Sequence, residues 1–144
     1  MTTEATILIV DDNTLLRETL QSLIQITQPT WQVITASDGA EGVRLARASQ
    51  PTLILLDLHM PGMNGYEAAL QLQADPATRA TPLVLMTSED CDDPLVVRLR
   101  TLCHGFLSKP FSFREIKHTL DRLLQSQSAV QPFPARTAFE SSLF

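Results

Sequence analysis

Five short apolar runs, separated by stretches of helical period, constrain this chain more than any other feature. They are TILIV (6–10), WQVITA (31–36), TLILLD (52–57), PLVLMT (82–87) and GFLSK (105–109). Unbroken aliphatic and β-branched runs of this length suit strands buried on both faces, and hence a parallel sheet. The segments between them place apolar residues three and four apart, as helices that cover a sheet require. The first stripe uses Leu16, Leu20, Leu23 and Ile24, the second Ala40, Val43 and Ala46, and the third Tyr66, Ala69 and Leu70. The fourth uses Leu95, Leu99 and Leu102, and the last Ile116, Leu120, Leu123 and Leu124. SFRE (112–115) has Ser and Glu at capping-box spacing, DGAE (38–41) and NGYE (64–67) offer related starts, and DP (93–94) puts an N-cap before a proline. Strand and helix alternating five times predict an α/β fold, a doubly wound (βα)5 sandwich with right-handed crossovers.

A chain of 144 residues, 44% of them hydrophobic, fits one domain with enough apolar surface for a core. A formal net charge of -5 argues against a general nucleic-acid or membrane-surface binder, since both need a basic face. Cys91 and Cys103 form neither a disulfide framework nor a CxxC pair, which predicts a reduced, cytoplasmic protein. MTTEATILIV lacks a basic leader region, and its apolar run is too short for a signal peptide or a membrane span. The segment from 126 to 144 breaks the pattern, with prolines, small polar residues and no helical stripe. It reads either as a flexible tail after a domain of residues 1–125 or as a docking segment anchored by Phe133, Phe139, Leu143 and Phe144.

Ligands of open α/β sheets bind outside the carboxyl ends of the strands. At those ends stand Asp11 and Asp12 after the first run, Asp57 after the third, Thr87 after the fourth and Lys109 after the fifth. Each has an ordinary explanation alone. Asp12 could cap the helix beginning near Asn13, Asp57 could be a loop residue, Thr87 a β-branched strand end, and Lys109 a snorkelling side chain. Together they place three carboxylates, a hydroxyl and an ammonium at one edge. Three close carboxylates repel one another, and one lysine leaves an excess that suits a hard divalent cation such as Mg2+. That combination points to a phosphoryl-handling site.

The motifs ILIVDDN (7–13), LILLDLHMPGMNGYE (53–67), LVLMTSE (83–89) and FLSKPF (106–111) resemble the response-regulator receiver domains of two-component signalling, over residues 5 to about 125. No GxGxxG or GKS/T loop offers a nucleotide-binding alternative. The resemblance implies a flavodoxin-like strand order 2-1-3-4-5 and a cis bond between Lys109 and Pro110. It implies Asp57 as phosphoacceptor and Mg2+ held by Asp11, Asp12, Asp57 and the backbone carbonyl of His59, Asp11 acting through water. It further implies Lys109 and Thr87 on the phosphoryl oxygens, with Thr87 and the aromatic Phe106 moving as a switch. The donor would be a phosphohistidine on a sensor histidine kinase or histidine phosphotransfer protein. The output would be a protein target docking on the face of the fourth helix, fifth strand and fifth helix. Catalysis would be confined to the domain's own phosphorylation and slow dephosphorylation.

The chain departs from the family pattern at Ser88, where a small alanine is usual, and in LCHGF (102–106), which lacks the usual Gly-Ala pair. His59 and Glu89 are expected to flank the phosphoryl group and to tune the attack of water. Two other readings compete with the stand-alone switch. One is a receiver-like interaction module that takes no phosphoryl group; the other is a receiver cut from a longer regulator or hybrid kinase. No helix-turn-helix region follows, so direct DNA binding is not expected.

Overall fold

The computed structural model describes residues 5–60, 62, 64–87 and 94–128. Its elements run β1 (Thr6–Val10), α1 (Thr14–Thr27), β2 (Gln32–Ala36), α2 (Gly39–Ser49), β3 (Leu53–Asp57), α3 (Gly65–Ala74), β4 (Leu83–Thr87), α4 (Pro94–Leu99), β5 (Gly105–Ser108) and α5 (Phe113–Ser128). The five strands form one sheet in the order β2-β1-β3-β4-β5, and every pairing is parallel. This is the doubly wound architecture and the strand order expected from the sequence.

Strand side chains alternate between faces, and the core divides accordingly. Leu8, Val10, Ile54, Leu56, Leu83 and Leu85 face Val43 and Ala46 of α2, Ala68, Ala69 and Leu72 of α3, and Leu99 of α4. Ile7, Ile9, Leu53, Leu55, Val84 and Met86 face Leu20 and Ile24 of α1 and Ile116, Leu120 and Leu123 of α5. β1, β3 and β4 are thus covered on both sides, which explains their unbroken apolar runs. The edge strand β2 departs from that expectation. Gln32 is exposed and Val33 to Thr35 are half-buried, because α1 and α2 cover it incompletely.

Two helical stripes also differ from expectation. α2 buries Gly39, Gly42, Val43 and Ala46, leaving Ala40 exposed, and α3 buries Gly65, Ala68, Ala69 and Leu72, leaving Leu70 exposed. Small residues carry these faces because the helices lie close to the sheet. A Cβ on Gly42 would sit 2.8 and 2.9 Å from the methyl groups of Val10. α4 ends at Leu99, so Leu102 lies in the turn beyond it, where the amides of Leu102 and Cys103 both donate to the Leu99 carbonyl at 2.9 Å. The side chain of Leu95 lies outside the described residues.

Capping follows the sequence signals. Asn64 and Glu67 form a complete capping box at α3, with bonds of 2.9 and 3.1 Å, and Ser112 and Glu115 do the same at α5 with 3.1 and 2.8 Å. Asp38 caps α2 by accepting from the Glu41 amide at 2.8 Å. Asp93, Cys91 and the segment 129–144 lie outside the described residues, as do Glu89 and the apolar anchors of the tail. No described helix is long and apolar enough to cross a membrane.

Candidate functional site

The carboxyl ends of β1, β3, β4 and β5 deliver the polar residues to one place. Asp11 follows β1 directly, and its amide donates to the Ala36 carbonyl at 3.1 Å, which extends the β1–β2 ladder by one bond. Its side chain is wholly buried. One carboxylate oxygen accepts from the Asn13 amide at 2.9 Å and the other from the Lys109 ammonium at 2.9 Å. Asn13, not Asp12, caps α1, accepting from the Leu16 amide at 3.1 Å. Asp12 is thereby released from the capping role that the sequence left open, and it stands exposed beside Asp11.

Asp57 closes β3 opposite Met86 and is buried. The chain turns sharply behind it. The Leu58 amide donates to Met86 at 2.9 Å and the Gly65 amide returns to the Leu58 carbonyl at 2.7 Å. Gly65 is required by that return: a Cβ there would lie 2.3 Å from the Asp57 carbonyl oxygen and 2.7 Å from the Leu58 Cα. Gly62, inside the turn, has φ +74°, a conformation that side chains disfavour. His59 is exposed on the same turn, next but one to Asp57.

Lys109 leaves β5 with its amide bonded to the Thr87 carbonyl at 2.7 Å and with a cis peptide to Pro110. That anchor directs its ammonium to Asp11 at 2.9 Å and Asp57 at 3.2 Å. Thr87 is buried at the end of β4, opposite Ser108 of β5. Phe106 is half-buried against the α2–α4 side of the core, with the Arg100 guanidinium carbon 6.0 Å from its ring centre. Arg17 is a site residue that sequence reasoning missed. Its guanidinium donates to the Asp11 backbone carbonyl at 2.7 Å and to the Thr14 hydroxyl at 3.3 Å, tying the β1–α1 corner together. The available signal was an arginine on the first turns of the helix that follows paired aspartates.

The charges do not balance. Ligand oxygens of Asp11, Asp12 and Asp57 lie within 4.8 Å of one another, and among the described residues the ammonium of Lys109 is the cation that bonds these carboxylates. Burial, the neighbouring Asp11 charge and, to a lesser degree, Asp12 raise the proton affinity of Asp57, and Lys109 offsets only part of this. Burial acts against the charge on Lys109, but its bonds to Asp11 and Asp57 outweigh that, and its pKa is raised. An all-oxygen cluster with excess negative charge matches the donor preference of Mg2+, which binds through a few carboxylates and keeps part of its water.

Residues 7–121 match the family model of the response regulator receiver domain. The chain is 34% identical over 120 residues to protein PilH of Pseudomonas aeruginosa, a match covering 83% of this chain and 98% of that protein. It is 31% identical to the alkaline phosphatase synthesis transcriptional regulatory protein PhoP of Bacillus subtilis, but spans only 51% of its length. Among solved structures, the chemotaxis protein CheY4 of Vibrio cholerae superposes with a TM-score of 0.76 at 28% identity, over 85% of this chain and all of that one. The receiver domain of sensor histidine kinase PA1611 from Pseudomonas aeruginosa, solved with a magnesium ion in its active-site cleft, shares the fold with a TM-score of 0.77 at 24% identity, over 86% of this chain and all of that one. With its fold, its acidic cluster and its lysine in these positions, the chain belongs to the response regulator receiver domain family.

Proposed function

We propose that the protein is a phosphoacceptor switch in which Asp57 takes a phosphoryl group from a phosphohistidine of a sensor histidine kinase or phosphotransfer protein. The observation that carries this reading is the cluster of Asp11, Asp12 and Asp57 bridged by Lys109. A carboxylate attacks a phosphoryl anion only when charge is neutralised and the reactants are aligned, so phosphoryl transfer is chiefly positioning and electrostatics. Asp11, Asp12, Asp57 and the His59 carbonyl would hold Mg2+, which when bound neutralises the charge between nucleophile and phosphoryl oxygens. The chain's own part is to hold Asp57 at the end of a buried strand and to present Lys109 as a second positive charge. The Thr87 hydroxyl donates to the phosphoryl group. His59 and Glu89 set the access of water during slow self-dephosphorylation, so small residues at either position change the lifetime of the phosphoryl group.

In the same reading, Thr87 and Phe106 move together on phosphorylation and remodel the face of α4, β5 and α5, where a downstream protein binds in the cytoplasm. The test is incubation with acetyl phosphate and Mg2+, followed by intact-mass measurement. One phosphoryl group should add to the wild type and none to Asp57→Asn. An unlabelled wild type, or equal labelling of the variant, would sink the proposal and favour a phosphorylation-independent interaction module.

A further inference from the structure

Arg100 is the first residue beyond α4, and its guanidinium carbon lies 6.0 Å from the centre of the Phe106 ring. Phenylalanine has no hydroxyl, so the negative face of its ring is what it offers a cation. We propose that Arg100 is a latch that holds the Phe106 ring in its half-exposed position, so that the end of α4 sets how readily the switch turns. This rests on the reading of Phe106 as the switch aromatic.

The turn that carries Arg100 is anchored through its backbone. Arg100 sits in a turn held by Leu99 and Cys103, both buried in the same core cluster that the ring packs against. Two amides of that turn, from Leu102 and Cys103, bond the Leu99 carbonyl at 2.9 Å, and the Gln73 side chain donates to the Leu102 carbonyl at 3.4 Å. Phe106 lies on β5 opposite Leu85, two residues ahead of the Ser108 that pairs with Thr87. A ring turning inward toward Thr87 gives up the guanidinium at its face, and the backbone that carries Arg100 stays in the anchored turn. A cation–π contact at a partly exposed site biases such an equilibrium by about two- to five-fold.

Phosphorylation and the inward ring are coupled, so whatever holds the ring outward weakens phosphorylation. Arg100→Gln keeps the length and polarity of the side chain and removes its charge. It should lower the half-saturating acetyl phosphate concentration about two- to five-fold, read by intact mass. The same substitution in a Phe106→Leu background should change nothing, because the aromatic face is already gone. Equal behaviour of wild type and Arg100→Gln would overturn the latch, as would an Arg100→Gln effect that persists without the ring. A wild type that takes no label would instead remove the phosphoacceptor reading and the latch with it, so the two failures are told apart within one series.

Discussion

Asp57→Asn should make the cation-free protein more stable while removing the carboxylate proposed as phosphoacceptor. Taking an effective dielectric of about 20, unit charges at the cluster's outer limit of 4.8 Å repel by about 3.5 kcal/mol and closer ones by more, and an ammonium 3.2 Å from a carboxylate oxygen attracts it by about 5 kcal/mol. Asp57 meets the repulsion of buried Asp11 and a further, solvent-screened share from exposed Asp12. Among the described residues its attraction is to Lys109, whose ammonium also bonds Asp11. These contributions nearly cancel, so the cost of burying the carboxylate remains uncompensated. Asparagine has the same shape, its amide oxygen still accepts from Lys109, and it carries no charge. The variant should gain about 1–2 kcal/mol, or roughly 3–8 °C in Tm.

The pH dependence gives this prediction a sign. The folded pKa of Asp57 is raised above its unfolded value near 3.8, so the folded state holds that proton more tightly. Its contribution to stability is therefore fully present below the unfolded value and is lost as pH rises through the folded one. The advantage of Asp57→Asn should be full at neutral pH and close as pH falls toward 3.8. Urea denaturation with a chelator present, at pH near 7.5 and near 4.5, measures both. Mg2+ should then stabilise the wild type more than the variant, since only the wild type offers all three carboxylates. A variant equal to or weaker than wild type at neutral pH, or a gap that widens toward acid, would refute the electrostatic reasoning.

Two further outcomes follow from packing. Gly65→Ala drives a Cβ to 2.3 Å from the Asp57 carbonyl, so backbone must move, and stability should fall by about 2–4 kcal/mol with an unchanged m-value; wild-type stability would contradict the close approach. Cys103 is buried and its thiol is pushed up to about 12, so at pH near 8 only about one molecule in ten thousand carries the thiolate. Peptide mapping should find Cys103 unalkylated in native protein and readily alkylated in urea, whereas rapid native labelling would show the core open there.

What could be read from the sequence depended on whether a residue's role is written in hydrophobicity. β1 matches its apolar run residue for residue, and β3, β4 and β5 each fall within one residue of theirs, because buried parallel strands need unbroken apolar runs. Asp11, Asp57, Thr87 and Lys109 were legible for a related reason, since each is the first polar residue after its apolar run, or in the case of Lys109 the second, after Ser108. The faces of α2 and α3 were not. Gly39, Gly42, Gly65 and Ala68 are buried small residues, Gly42 and Gly65 by close approach, which hydrophobic periodicity does not register, so Ala40 and Leu70 took their places in the expected stripes. Asn13 and Asp12 are both good N-caps, and only the geometry of the β1–α1 corner assigns the cap to Asn13. Arg17 was missed because its target is a backbone carbonyl, so its position after the paired aspartates marked a candidate but not its partner.

The opposition between folding stability and clustered charge at this edge also explains why the supporting backbone is so closely specified. Excess negative charge can persist only where the chain cannot move its carboxylates apart. Asp11 is fixed by the amide of Asn13, by Lys109 and, through its carbonyl, by Arg17. Asp57 is fixed by its place in the ladder and by Gly65 packed against its carbonyl. Lys109 is aimed by the bond from its amide to Thr87. Loosening any of these restraints lets the like charges separate, which relieves repulsion and weakens cation binding together. Destabilisation by Gly65→Ala and stabilisation by Asp57→Asn should therefore differ in sign for folding and agree in sign for loss of Mg2+ affinity. A variant that loosens the turn yet binds Mg2+ as tightly as wild type would show that the cluster draws its affinity from charge alone and not from enforced proximity.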